Sequence, residues 1–122
     1  MNINGTYTSE NGDFVLQITN SDSTHSTFEG TYTASYTAQG QQTFNHVVGR
    51  WWYVGGGGAA PLSVGFVTHD RASGGWPYCI ADAWSGILTE TGKLSMTGTR
   101  SYLTSDGSTQ ELSSLGTHQF ST

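Results

Sequence analysis

The sequence predicts an all-β protein, an eight-stranded antiparallel up-and-down β-barrel. Three observations carry that prediction. No window places apolar residues at i, i+3, i+4 and i+7 over successive turns, the mark of an amphipathic helix. Short runs rich in Thr, Tyr, Val, Phe and Trp alternate with polar residues, as half-buried strands do. Clusters of Gly, Asn, Asp and Ser separate these runs. A meander of such strands leaves two raw edges, and closure into a barrel removes them. A barrel of this size encloses either side chains alone or one small ligand.

The elements follow in order. Ile3 to Ser9 reads as a strand and Glu10-Asn11-Gly12-Asp13 as a hairpin turn. Phe14 to Thr19 sets Phe14, Leu16 and Ile18 on one face, and Asn20 to Ser26 is a polar loop. Thr27 to Ala38 is a longer strand that aligns Phe28, Tyr32 and Tyr36, with a turn at Gln39-Gly40-Gln41-Gln42. Phe44 to Val54 carries Trp51 and Trp52, which point to opposite faces, one inward and one outward. Gly55 to Pro61 is a connector too short for a domain linker. Leu62 to Asp70 is a strand and Arg71 to Pro77 a turn. In the strand from Tyr78 to Leu88, Tyr78, Ile80, Asp82 and Trp84 share one face, and Cys79, Ala81, Ala83 and Ser85 the other. Thr89 to Lys93 turns, Leu94 to Thr104 is a strand, Ser105 to Ser108 turns, and Gln110 to Ser121 closes the chain. The echo of Gly5-Thr6-Tyr7 in Gly30-Thr31-Tyr32 is not sustained, so no repeat architecture is implied.

At 122 residues the chain makes one domain, 1–122. Only 11% of residues are charged, against a usual value of about 25%, so the surface is built of Ser, Thr, Asn, Gln and Gly. The net charge is −5, with only 4 Lys and Arg to meet phosphates. That argues against nucleic acid and against anionic membrane surfaces as partners. Cys79 is the single cysteine, so no intrachain disulfide forms; it reads as a packed thiol rather than a nucleophile. With no signal-peptide pattern at Met1-Asn2-Ile3-Asn4-Gly5, a cytoplasmic location is the default, and a secreted one follows if a signal was removed. His25, His46 and His69 show no metal-ligand spacing, and no metal or cofactor is expected. The Gly55–Gly58 run lacks the Lys-Ser/Thr of a phosphate loop.

The ordered set Gly5-Thr6-Tyr7, Gly30-Thr31-Tyr32, Gly49-Arg50-Trp51, Val64-Gly65-Phe66, Trp84-Ser85-Gly86, Tyr102-Leu103-Thr104-Ser105 and Ser114-Leu115-Gly116 through Phe120 resembles the avidin and streptavidin family. The resemblance spans essentially the whole chain. It implies a barrel that binds biotin at one open end, commonly as a dimer or tetramer, without catalysis. The positions matching the family's contacts to the ureido oxygen are Ser9, Asp13 and Tyr32, and those matching its contacts to the ureido nitrogens are Ala34 and His118. Asp82 matches a Thr near the ring sulfur. Asp70, Trp84 and Ser101 match the Trp box, and Gln110 stands where a neighbouring subunit lends a lid Trp. Only Tyr32 and Trp84 keep the family's residue type, so the resemblance implies altered specificity. The family's lid connection corresponds to about Ala38 to Gln42.

Asp82 is the sharpest feature. An unpaired buried carboxylate is costly, and His118, aligned inward with Phe120, is the expected partner. The functional reading is a polar, acidic pocket of Asp13, Asp70, Asp82 and His118, with Tyr32 and Trp84 as walls, suited to a hydroxyl-rich or cationic ligand. The bland reading is that Asp82 and His118 satisfy each other, or that a register slip puts Asp82 outside. Arg100 and Tyr102 are expected on the outer surface, with the outward Trp, at a homodimer or homotetramer interface. The chain thus reads as a small-molecule binder, for biotin or a polar substitute. The alternative is an interaction or assembly module, lectin-like or toxin-associated, on the same barrel. An enzyme using Asp82 and His118 as an acid–base pair ranks last.

Overall fold

A computed structural model describes residues 3–53, 61–71 and 77–122, with backbone alone at 70 and 71. Its strands are β1 (Gly5–Ser9), β2 (Phe14–Asp22), β3 (Thr27–Ala34), β4 (Gln42–Tyr53), β5 (Leu62–Arg71), β6 (Tyr78–Leu88), β7 (Leu94–Thr104) and β8 (Gln110–Ser121). They pair in sequence order, antiparallel, and β8 returns to β1 to close the barrel. The expected connector from Gly55 and the turn from Ala72 to Trp76 lie outside the described residues.

Alternation builds the core. Phe14, Leu16 and Ile18 of β2, Phe28 and Tyr32 of β3, Val64 and Phe66 of β5, Ile80 and Trp84 of β6, and Leu94 and Met96 of β7 are all buried inside. Trp51 turns inward and is 1% exposed, while Trp52 turns outward and is 69% exposed, as strand parity requires. Two glycines make room for the largest rings. Gly98 is the register partner of Trp84, and a Cβ there would lie 2.6 Å from the indole. A Cβ on Gly49 would lie 2.1 Å from the Phe28 ring.

Two expectations about orientation are corrected. β3 ends at Ala34 rather than at residue 38, because Thr37 and Gly40 close a turn by exchanging main-chain hydrogen bonds of 3.0 Å each way. Tyr36 therefore leaves the core row of Phe28 and Tyr32 and is 75% exposed. Arg100 and Tyr102 point inward, not outward, since they share the parity of the buried Leu94 and Met96. The polar loop after β2 is also shorter than expected, because β2 continues to Asp22 across a bulge between Ile18 and Asn20. The seam that closes the barrel is short, with Thr8 opposite Ser121 and Ser9 opposite Phe120.

Candidate functional site

One end of the barrel gathers the ends of β1, β3, β5 and β7 and the starts of β2, β4, β6 and β8. The polar interior lies toward this end. Asp82 of β6 and Arg100 of β7 are direct register partners, so their side chains emerge on the same face. The Arg100 fork meets the carboxylate in bidentate fashion, Nε donating to Oδ1 and Nη2 to Oδ2, each at 2.7 Å. Tyr32, across the barrel on β3, donates its hydroxyl to Asp82 Oδ2 at 2.9 Å. The Trp84 indole N–H in turn donates to the Tyr32 oxygen at 3.0 Å. Arg100 Nη1 donates to the Tyr36 carbonyl at 2.9 Å. A continuous chain of donors and acceptors thus runs from Trp84 through Tyr32 and Asp82 to Arg100 and the 35–41 connection.

The electrostatics follow from burial. The Asp82 side chain is 0% exposed and that of Arg100 10%. Taking both charges out of water costs several kcal/mol per ion, which only good geometry offsets. Burial works against the Arg100 charge, but the hydrogen bonds and charge of Asp82, with Tyr32, outweigh it and hold the guanidinium above its ordinary pKa. Burial, followed by the Asp82 charge, pushes the Tyr32 phenol well above its usual value. Tyr32 therefore stays protonated, its proton committed to Asp82.

Phe14 packs into the same region. Its ring is stacked on Tyr32 at 6.3 Å, meets Trp84 edge-on at 5.0 Å, and lies 5.2 Å from the His118 ring. His118 does not pair with Asp82. Its Nδ1 is 2.9 Å from Glu10 Oε1 and its Nε2 2.7 Å from the Leu115 carbonyl. The other Glu10 oxygen accepts the Gln119 N–H at 2.9 Å, extending the short β1–β8 seam by a side chain. The Glu10 carboxyl is held below its usual range, first by its own backbone N–H, then by His118 and Gln119.

The expected site residues separate accordingly. Tyr32, Asp82 and Trp84 form one network, and His118 lies against Trp84 with ring centroids 6.0 Å apart. Ser9 is buried in the β1–β2 turn, donating to Asn11 Oδ1 and accepting the Phe14 N–H. Asp13 is half-buried in that turn, where its carbonyl accepts the Ser35 N–H. Ala34 is buried between Phe14 and Gln42 of the flanking strands. The backbone of Asp70 pairs with Ile80, and its side chain lies outside the described atoms. Ser101 has outward parity and lines an outer groove of about 600 Å³ with Leu103, Gln110 and Leu112.

The acidic pocket expected from the sequence is corrected as well, because Arg100 neutralises Asp82. Arg100 is the residue that sequence reasoning missed, although the parity of Leu94, Met96 and Gly98 placed it inside. Glu10 was also missed, and its contact with β8 spans 108 residues with no local signal.

Strand order and closure define an avidin-like barrel fold. The structure matches core-bradavidin over 95% of this chain and 96% of that one, with 20% identity and a TM-score of 0.63. It matches a biotin-binding protein from chicken over 97% and 93%, with 17% identity and a TM-score of 0.55. These likenesses establish the fold. No protein-family model and no curated protein matches the chain.

Proposed function

We propose that the protein is a non-catalytic, small-molecule-binding barrel whose open end is rebuilt so that biotin is not its preferred ligand. The observation that carries this reading is the buried Trp84–Tyr32–Asp82–Arg100 network toward the end of the barrel where β7 ends and β8 begins. A buried ion pair contributes little net stability compared with apolar residues of similar volume. Its concentration toward one end of the barrel, with Arg100 reaching the connection there, supports recognition of a polar ligand rather than mere packing. The same network counts against biotin. Tyr32 already donates its hydroxyl hydrogen bond to Asp82, Ala34 has no side-chain partner to offer, and His118 is held by Glu10 and the Leu115 carbonyl. Unpaired polar groups in such a site cost about 1–3 kcal/mol each. Biotin is therefore expected to bind more weakly than a ligand whose polar groups the site can pair.

The test is titration calorimetry with a panel of biotin, N-acetylated amino acid amides, small carboxylates and monosaccharides, backed by NMR of the Trp84 indole N–H. Binding of a panel member other than biotin, with movement of that signal, supports the reading. Submicromolar biotin binding would overturn the altered specificity, and a silent panel would overturn the binding function.

A second reading concerns assembly. Val48, Trp52, Val67 and Ile87 are exposed on the outer face of β4, β5 and β6. Of these, Val48 and Val67 line a groove of about 590 Å³ together with Gly65, Ala83, Ser85 and Thr99. This face fits a homodimer or homotetramer contact, and its test is the molar mass in solution.

A further inference from the structure

Arg100 carries five N–H donors. Nε and Nη2 serve Asp82, and Nη1 serves the carbonyl of Tyr36. That carbonyl belongs to no strand. It sits in the 35–41 connection, which folds on itself: Thr37 and Gly40 exchange main-chain hydrogen bonds, and the Thr37 hydroxyl donates to the Gly40 carbonyl at 2.6 Å. Gly40 takes a φ of 81°, which keeps the turn tight. Among the described residues, three hydrogen bonds tie this compact turn to the barrel. The Ser35 N–H donates to the Asp13 carbonyl, Arg100 Nη1 to the Tyr36 carbonyl, and Gln39 Nε2 to the Tyr102 hydroxyl at 2.9 Å. Two of the three anchors are inward-parity residues of β7.

We infer that residues 35–41 act as a built-in competitor: the Tyr36 carbonyl occupies the Arg100 subsite, and the external ligands of that subsite are uncharged molecules bearing an amide-type carbonyl. This assignment rests on the binding function proposed above and names its ligand class. The charge argument is local. Arg100 is already neutralised by a carboxylate 2.7 Å away, so an anion at Nη1 would sit beside Asp82. The present occupant is itself a neutral amide oxygen. Admission of a ligand requires the turn to lift, breaking the Arg100–Tyr36 and Gln39–Tyr102 hydrogen bonds. The apparent affinity is then the intrinsic affinity scaled by the fraction of molecules with the turn lifted. Weakening a tether that the ligand does not touch raises that fraction.

The experiment titrates the full chain with N-acetyl-L-tyrosinamide, which reproduces the Tyr36 carbonyl and ring, and with acetate as the anionic probe. The Arg100 Nε–H and Trp84 indole signals report binding. Gln39→Ala, an exposed substitution that removes one tether, is expected to tighten amide binding about two- to tenfold. Wild-type protein is expected to favour the amide over acetate. Equal or weaker binding by Gln39→Ala, or a preference for acetate, overturns the inference. If other panel members move the two signals and the amide does not, the ligand class falls while the binding function stands. If no compound moves them, both fall.

Discussion

Removing the Arg100 guanidinium strands a charge in the barrel, and the cost follows from the geometry. In Arg100→Met the Asp82 carboxylate, 0% exposed, loses both bonds of 2.7 Å and, among the described residues, keeps the Tyr32 hydroxyl as its side-chain donor. Breaking a buried pair from one side costs about 3–5 kcal/mol. Asp82→Asn breaks the pair from the other side. Its carboxamide oxygen still accepts from Tyr32, but its NH₂ faces the Arg100 Nε–H. The guanidinium, 10% exposed, loses its counter-charge, so the expected loss is again about 3–5 kcal/mol. The double substitution removes both charges and keeps the Tyr32 acceptor. It is expected to cost about 1–2 kcal/mol, less than Arg100→Met alone. Urea unfolding with linear extrapolation measures all three variants. A loss below about 1 kcal/mol for Arg100→Met, or a double variant as unstable as the sum of the singles, would refute the buried-pair reasoning.

Further outcomes test other parts of the fold. Gly98→Ala places a methyl 2.6 Å from the Trp84 ring, so the indole shifts and the protein loses about 1–3 kcal/mol; urea unfolding and the Trp84 indole N–H shift read this. Asp106 in the β7–β8 turn is pulled down to about 2 by the Ser108 backbone N–H, then by the Thr104 and Ser108 hydroxyls. Its depressed folded-state pKa gives stability that is complete above the ordinary carboxylate value near 4 and lost as pH falls through about 2. An acid titration of the Ser108 amide shift should show that midpoint, and one near 4 would contradict it. If the outer face of β4–β6 joins copies of the chain, Val67→Arg halves the molar mass seen by light scattering or lowers it further, and an unchanged mass removes this face from the contact.

How much of this was legible in the sequence depends on the range of the interactions. Period-two alternation is local, so the rows of Phe14, Leu16 and Ile18, or the split of Trp51 from Trp52, could be read directly. The inward placement of Asp82 beside Trp84 rests on the same parity. Its partner was misassigned because His118 was paired with Asp82 from its alignment with Phe120, while the parity of β7 was not carried through to Arg100. Tyr36 failed for a different reason. Its alternation with Phe28 and Tyr32 is intact, but the Thr37–Gly40 turn and the Arg100 hydrogen bond to its carbonyl end the strand first. Glu10 reaching His118 and Gln119 depends on barrel closure, and such a contact leaves no trace in local pattern.

The most direct test of a ligand-binding open end organised by Asp82 and Arg100 is a crystal structure of the protein with the tightest-binding panel compound. The ligand is predicted to place an acceptor atom about 3 Å from Arg100 Nη1, with the 35–41 turn lifted from Tyr102. A ligand seated on the outer face, or one bound inside while the Arg100–Tyr36 hydrogen bond persists, would contradict the account.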